Sequence, residues 1–230
     1  MLNNMKLQIL SDLHIDSYAR QSHPVGHIPK TDADLVLVAG DTANSDKGMP
    51  WLQEQAARLE VPLITIAGNH EYFDEDVLSF DYKLATWDNY DTASKKGVRV
   101  LQCQHIDIGD IRLLGCTLWT DYQYHANEDT MAAARHFMRD YKQIYAGNEL
   151  FSPEVSMQIH AEHRQWLQQA LIESHKLGKK TVVMSHHSVS ALSVSEKYAN
   201  LPSNAAFVSD LSGWMHEDWA PMLWVHGHTH

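Results

Sequence analysis

Five short runs of apolar, mostly β-branched residues each end on a side chain able to hold a cation or move a proton, and no other feature restricts the fold as strongly. The runs are KLQIL (6–10), DLVLVAG (34–40), PLITIAG (62–68), TVVMS (181–185) and PMLWVHG (221–227). Their near-continuous apolar character predicts strands buried on both faces, since a half-exposed strand alternates instead. Helical patterns separate them. Residues 47–60 place Trp51, Leu52, Ala56 and Leu59 on one face, and a further helix is predicted over 74–94. The stretch 98–116 reads as a β-meander, VRVLQ followed by HIDIGDIRLLG with a turn at Gly109-Asp110. Met131, Met138, Tyr141 and Tyr145 have helical spacing over 127–145. A helix over 153–177 carries Ser152 as N-cap, Pro153 at its first position and Gly178 just past its end. Strands alternating with helices indicate an α/β fold, and the antiparallel-looking middle indicates mixed sheets. In such folds ligands collect at the carboxyl ends of the strands.

The residues just past each strand are therefore informative. Asp12 and His14 come after the first, Asp41 after the second, Asn69 and His70 after the third, His186 and His187 after the fourth, and His228 and His230 after the last. Singly, each motif is an ordinary loop or turn, and Gly-Asp after a strand is common. Five in succession on strand ends are not accidental. Residues two apart in extended chain point the same way, so Asp12 with His14, and His228 with His230, can reach one ion each. Gly40 before Asp41 and Gly68 before Asn69 let the backbone turn where a Cβ would crowd the site. A carboxylate such as Asp41 can give one oxygen to each of two metals, and Asn69 offers a neutral oxygen. Mixed oxygen and nitrogen donors suit divalent Mn, Fe, Zn or Ni, and the absence of thiolates argues against a structural zinc site.

Composition limits the alternatives. The chain of 230 residues carries 18 Lys and Arg against 29 Asp and Glu, a formal net charge of −11 with no basic block, which argues against a nucleic-acid groove. No apolar run approaches a membrane span, and the N-terminal segment has no signal-peptide pattern. The two cysteines, Cys103 and Cys116, fit a reduced, cytoplasmic protein without a disulfide framework. No linker or repeat divides the chain, so residues 1–230 are read as one domain. No G-x-S-x-G elbow is present, which disfavours a Ser-His-Asp hydrolase.

The series D-x-H (Asp12, His14), G-D (Gly40, Asp41), G-N-H-E (Gly68 to Glu71), H (His186) and G-H-x-H (Gly227 to His230) resembles the calcineurin-like metallophosphoesterase superfamily. The five blocks span residues 12–230 and specify the superfamily, not the substrate. The middle, from LWTDY through MRDYKQI, is similar to a group of bacterial members with mostly unassigned substrates. The resemblance implies a central β-sandwich flanked by helices and two divalent metal ions. It implies that Asp12, His14, Asp41 and His230 hold one ion, and Asp41, Asn69, His186 and His228 the other. It further implies phosphoester hydrolysis through attack of a metal-bound hydroxide on a small phosphodiester or phosphomonoester. His70, beside Asn69, would donate to the leaving oxygen or steady the equatorial oxygens, worth about 10²–10⁴-fold in rate.

Around this set, His186 is favoured over His187 as ligand because it comes directly off the strand, leaving His187 near substrate. Glu71 is expected to support the His70 loop rather than act as a base. Tyr72 and Phe73 are read as an apolar rim or as packing, and His226 as a support behind the ligands or as structural. Asp16, His23, His27, Asp121, His125 and Asp129 are read as surface loop, and His160 and His163 as structural or exposed. A non-catalytic metal-binding scaffold of the same fold, or a nuclease, are the competing functions; every expected position being filled disfavours the first. Members usually continue past G-H-x-H with further strands, so the expectation is a fold lacking its C-terminal strands, with His230 held by an ion.

Overall fold

A computed structural model describes residues 5–20, 25–127, 129–198 and 201–229, with backbone alone for 18–20. Two four-stranded sheets face one another. The first is entirely parallel: β1 (Leu7–Leu10), β2 (Leu35–Val38), β3 (Leu63–Thr65) and β4 (Val98–Val100), in sequential order. The second is mixed. Its order is β10 (Leu223–Val225), β9 (Lys180–Ser185), β6 (Ile111–Cys116) and β5 (Gln104–Ile108), parallel throughout except for the β5–β6 hairpin.

The side-chain alternation of each strand explains why its sequence does not alternate. Leu35 and Leu37 of β2 and Ile64 of β3 enter the space between the sheets, where they meet Leu113, Val182, Met184 and Val225 from the second sheet. The intervening Val36 and Val38 face outward onto α2 (Met49–Leu59), which presents Met49, Leu52, Ala56 and Leu59. On the opposite side, Leu114 and Val183 face α6 (Pro153–Lys176) through Leu167 and Leu171. The result is a helix–sheet–sheet–helix stack, with every central strand covered on both faces. Burial of one such leucine is worth roughly 1.5–3 kcal/mol.

Three expectations change. Segment 98–116 is not one meander. Val98 and Val100 pair in parallel with β3 and close the edge of the first sheet, whereas 104–116 forms the hairpin of the second. Its apolar pattern fits either partner, so the pattern alone cannot assign the sheet.

The helix expected over 74–94 shrinks to α3 (Phe80–Ala85), one short stretch after α1 (Ile15–Arg20) and α2. The carboxylates of Asp76, Asp88 and Asp91 accept backbone N–H groups of Leu78, Tyr90 and Ala93, and these local turns compete with helix propagation.

The helix expected over 127–145 breaks into α4 (Thr130–Phe137) and α5 (Asp140–Gln143), with Met138 extended between them. Tyr145 instead opens a two-stranded ribbon, β7 (Tyr145–Ala146) with β8 (Glu149–Leu150). By contrast, α6 starts where expected, with the Ser152 hydroxyl accepting from Val155 N.

Candidate metal centre

The carboxyl ends of β1, β2, β3, β9 and β10 lie at one end of the sandwich and bring Asp12, His14, Asp41, Asn69, His70, His186, His187 and His228 close to one another. Asp41 is at the centre and buried. Its Oδ1 lies 3.4 Å from His186 Nε2, and its Oδ2 lies 3.8 Å from His14 Nε2 and 3.9 Å from His70 Nε2. Two groups capable of holding an ion result, His14–Asp41–His70 and Asp41–His186–His228, and they share this carboxylate.

The backbone reaches this arrangement through unusual conformations. Asp12, His14, Asp41 and His228 all have positive φ, at 54°, 42°, 56° and 68°. Non-glycine residues adopt this region at a cost of roughly 1–3 kcal/mol each, and such strain concentrates at functional sites. The loops are tied to one another. Asp12 N donates to Gly40 O at 3.1 Å, His14 N to Asp41 O at 3.0 Å, and His228 N to the Asp12 carboxylate at 3.1 Å. Gly68 is required for space, because a Cβ there would lie 2.2 Å from Asp41 Oδ1.

Glu71 holds two loops at once. Its carboxylate accepts from Gly68 N at 2.7 Å, Asp41 N at 2.9 Å and Thr42 N at 2.7 Å. Burial, together with the Asp41 charge, pushes its carboxyl up to about 7.

His186 offers the clearest test of whether a cation fits. Its Nδ1 donates to Ala39 O at 2.8 Å, so in the neutral ring the Nε2 lone pair faces Asn69 Oδ1 at 3.1 Å and Asp41 Oδ1 at 3.4 Å. Three acceptors converging this closely need a positive charge among them. Burial opposes a charged imidazole, but the Asp41 carboxylate outweighs it and raises His186 to about 9. A proton satisfies that demand, and a divalent ion satisfies it equally. His228 Nε2 is buried without a hydrogen-bond partner and has its ring 5.0 Å from that of His186. Burial and the neighbouring imidazoles hold His228 well below the ordinary histidine range, leaving a neutral ring with a lone pair to offer. The donor set therefore fits a metal.

His187 is buried one residue on. Its Nδ1 lies 3.2 Å from Thr117 O and its ring 4.4 Å from that of His228, and burial pushes it down to about 3. His70 has Nδ1 3.0 Å from Asn44 Oδ1 and its ring against Phe73, and burial pushes it down to about 4. Phe73 thus lies against the site, while Tyr72 is buried with its hydroxyl donating to Asp81 at 2.6 Å. His226 Nε2 contacts Ser193 Oγ at 2.8 Å. Other residues singled out in the sequence have partners of their own. His27 meets Gln55, His125 stacks on Tyr124, Asp121 accepts from Ser209, and His160 and His163 are buried on α6. His23 and His230 lie outside the described residues.

Three contributors have no sequence signal of their own. Asp140, at the start of α5, accepts from Asn69 Nδ2 at 2.8 Å and so turns the Asn69 oxygen towards His186. Asn44 fixes the His70 ring. Arg139 lies over the Phe73 ring at 5.0 Å and brings a cation to the rim. Asp140 and Arg139 sit within MRDYKQI, but only the break after α4 delivers them here. Together Asp41, Asn69, His70, Arg139, Asp140 and Phe207 border a cavity of about 180 Å³.

Comparison with known proteins bears on the fold and the family. Among solved structures, the phosphopantetheinyl hydrolase of Mycobacterium tuberculosis is similar over 98% of this chain and 83% of its own, at 19% identity and a TM-score of 0.68. A dimetal phosphatase of Danio rerio is similar over 98% and 82%, at 12% identity and a TM-score of 0.52. At these identities the likeness concerns the fold. No curated protein matches the chain. The profile of calcineurin-like phosphoesterases matches residues 5–230. The chain belongs to the calcineurin-like phosphoesterase family, and is a metal-dependent phosphoesterase.

Proposed function

We propose that the chain hydrolyses small phosphoesters, phosphodiesters ahead of monoesters, at a pair of divalent ions drawn from Mn, Fe, Zn and Ni. The observation that carries this reading is the Asp41 carboxylate, which turns one oxygen to each of two imidazole groups. In this reading Asp12, His14, Asp41 and His230 hold one ion, and Asp41, Asn69, His186 and His228 hold the other. Two such ions neutralise phosphate oxygens and lower the pKa of water to about 7 when bound.

The chain's own residues do the rest. Asp140 orients the Asn69 amide, and Glu71 holds the Asp41 and Gly68 loops in register. Asn44 accepts the His70 Nδ1 proton, so a protonated His70 ring presents its second N–H from Nε2 to the leaving oxygen. Burial disfavours that protonated form, and a bound phosphoryl anion beside the ring favours it. Arg139 supplies a cation at the rim of the cavity of about 180 Å³. The net charge of −11 and, among the described residues, a single guanidinium at this rim favour small substrates over a polyanion.

The test combines metal analysis of the purified protein with hydrolysis of bis-p-nitrophenyl phosphate and p-nitrophenyl phosphate, with and without Mn²⁺. Asp41→Asn is expected to abolish both metal content and turnover. His70→Ala is expected to keep metal and lose about 10²–10⁴-fold in rate. Less than one ion per chain with no turnover of either ester would overturn the proposal, and full activity in His70→Ala would remove His70 from the chemistry.

A further inference from the structure

A second, larger cavity of about 320 Å³ opens beside the metal centre and is separated from the smaller one by a shared wall of Phe207 and His228. The two rings of that wall stack at 4.6 Å and 24°. Val194, Tyr198, Leu201 and Phe207 give this cavity its apolar surface, and the hydroxyls of Ser193 and Ser203 edge it. Among the described residues, neither a Lys nor an Arg lines it. Its size falls at the lower end of the roughly 300–1,000 Å³ typical of small-molecule sites, which are mostly apolar with a few placed polar groups. Tyr198 and Leu201 remain 42% and 49% exposed, so apolar surface is available to be covered by a ligand.

We infer that this cavity binds an uncharged, apolar organic group that stays attached to phosphorus while the other ester bond is cleaved. The inference rests on the metal-centred hydrolase reading above and on its assignment of the leaving oxygen to His70. His70 lines the smaller cavity and not the larger one. A phosphorus held beside His228 with its leaving oxygen towards His70 therefore directs its other substituent across the Phe207–His228 wall. No Lys or Arg is among the described lining residues, and Lys197, whose Nζ lies 4.9 Å from the centre of the Tyr198 ring, does not line the cavity, so a charged substituent would be desolvated there with little compensation. The substrate class is then a phosphodiester with one aryl or alkyl arm. A monoester has no such arm and leaves the cavity empty.

The experiment compares phenyl p-nitrophenyl phosphate with methyl p-nitrophenyl phosphate in the Mn²⁺-loaded protein. Both release the same p-nitrophenolate, so the ratio of their kcat/KM values isolates the retained group. The phenyl ester is expected to be preferred at least about tenfold, chiefly through KM, because it buries more apolar surface. Leu201→Asp and Val194→Asp each place a carboxylate in the cavity and are expected to bring the ratio close to one. A variant that merely folds poorly lowers both esters together and keeps the ratio, and that result in both variants overturns the inference. A wild-type ratio near one overturns it as well, while leaving the hydrolase reading standing. No turnover of either ester overturns both.

Discussion

Burial keeps the Asp140 carboxyl protonated where an exposed one is ionised. It is pushed up to about 6, against the opposing hydrogen bond from Asn69. Unfolding returns it to about 3.9, so between about pH 4 and 6 the folded chain binds more protons than the unfolded one, and stability is lost as pH rises through that window. Asp140→Asn removes this titration while keeping an oxygen for Asn69. In metal-free protein, urea unfolding should show the variant gaining on the wild type between pH 4 and 7, levelling off at roughly 3 kcal/mol or less. A gap that does not change with pH would show that Asp140 is ionised when folded. At this scale the sequence displays donors and conceals their supports. Asp41 and His186 come directly after strands, which the apolar pattern reveals. Asp140 and Asn44 act through Asn69 and His70, and no spacing rule connects positions 44 and 70 or 69 and 140.

The elements meet where loops from the two sheets touch. Gly227 after β10 lies against the loop after β1, and a Cβ there would come within 2.6 Å of Asp12 Oδ2 and 2.9 Å of Ser11 Cβ. Gly227→Ala must therefore push the two strand ends apart. The expected outcome is metal affinity lowered at least about tenfold, the scale seen when groups supporting metal ligands are disturbed. Isothermal titration with Mn²⁺ would measure this, and unchanged affinity would mean the loops yield freely. Strand positions are legible in this chain because runs buried on both faces are almost uniformly apolar. The break between α4 and α5 is not, because no Gly or Pro marks Met138 and the apolar spacing continues across it. Sheet membership of β4 is not legible either, since Val98 and Val100 could cover either layer.

Across the whole molecule, the site takes residues after β1, β2 and β3 of one sheet and after β9 and β10 of the other. Ions bound there would clamp the two layers at one end. At 100–1,000 times its Kd, a ligand specific for the folded state adds about 2.7–4.1 kcal/mol. For a chain of this length, removing it should lower Tm by roughly 5–15 °C. Thermal melts with EDTA, then with Mn²⁺ restored, would show this. A Tm insensitive to chelation in protein proven to carry metal would place the ions outside the sandwich seam. The alternation of strands and helices makes the α/β class readable and the family resemblance implies the helix-flanked sandwich, whereas the depth of the site depends on loops whose conformations no periodicity encodes.

The hydrogen bond from His228 N to Asp12 closes a loop of 216 residues. Contacts this distant in sequence form late, because the chain pays the entropy of closure before they return anything. A nascent chain extended through His187 already possesses four of the five strand-end motifs, yet β10 has not joined β9 and the site lacks a wall. Metal uptake in the final geometry would thus be reserved for chains that have completed both sheets. Ions bound there would then report that β10 has joined β9, and an unfinished chain would compete poorly for them.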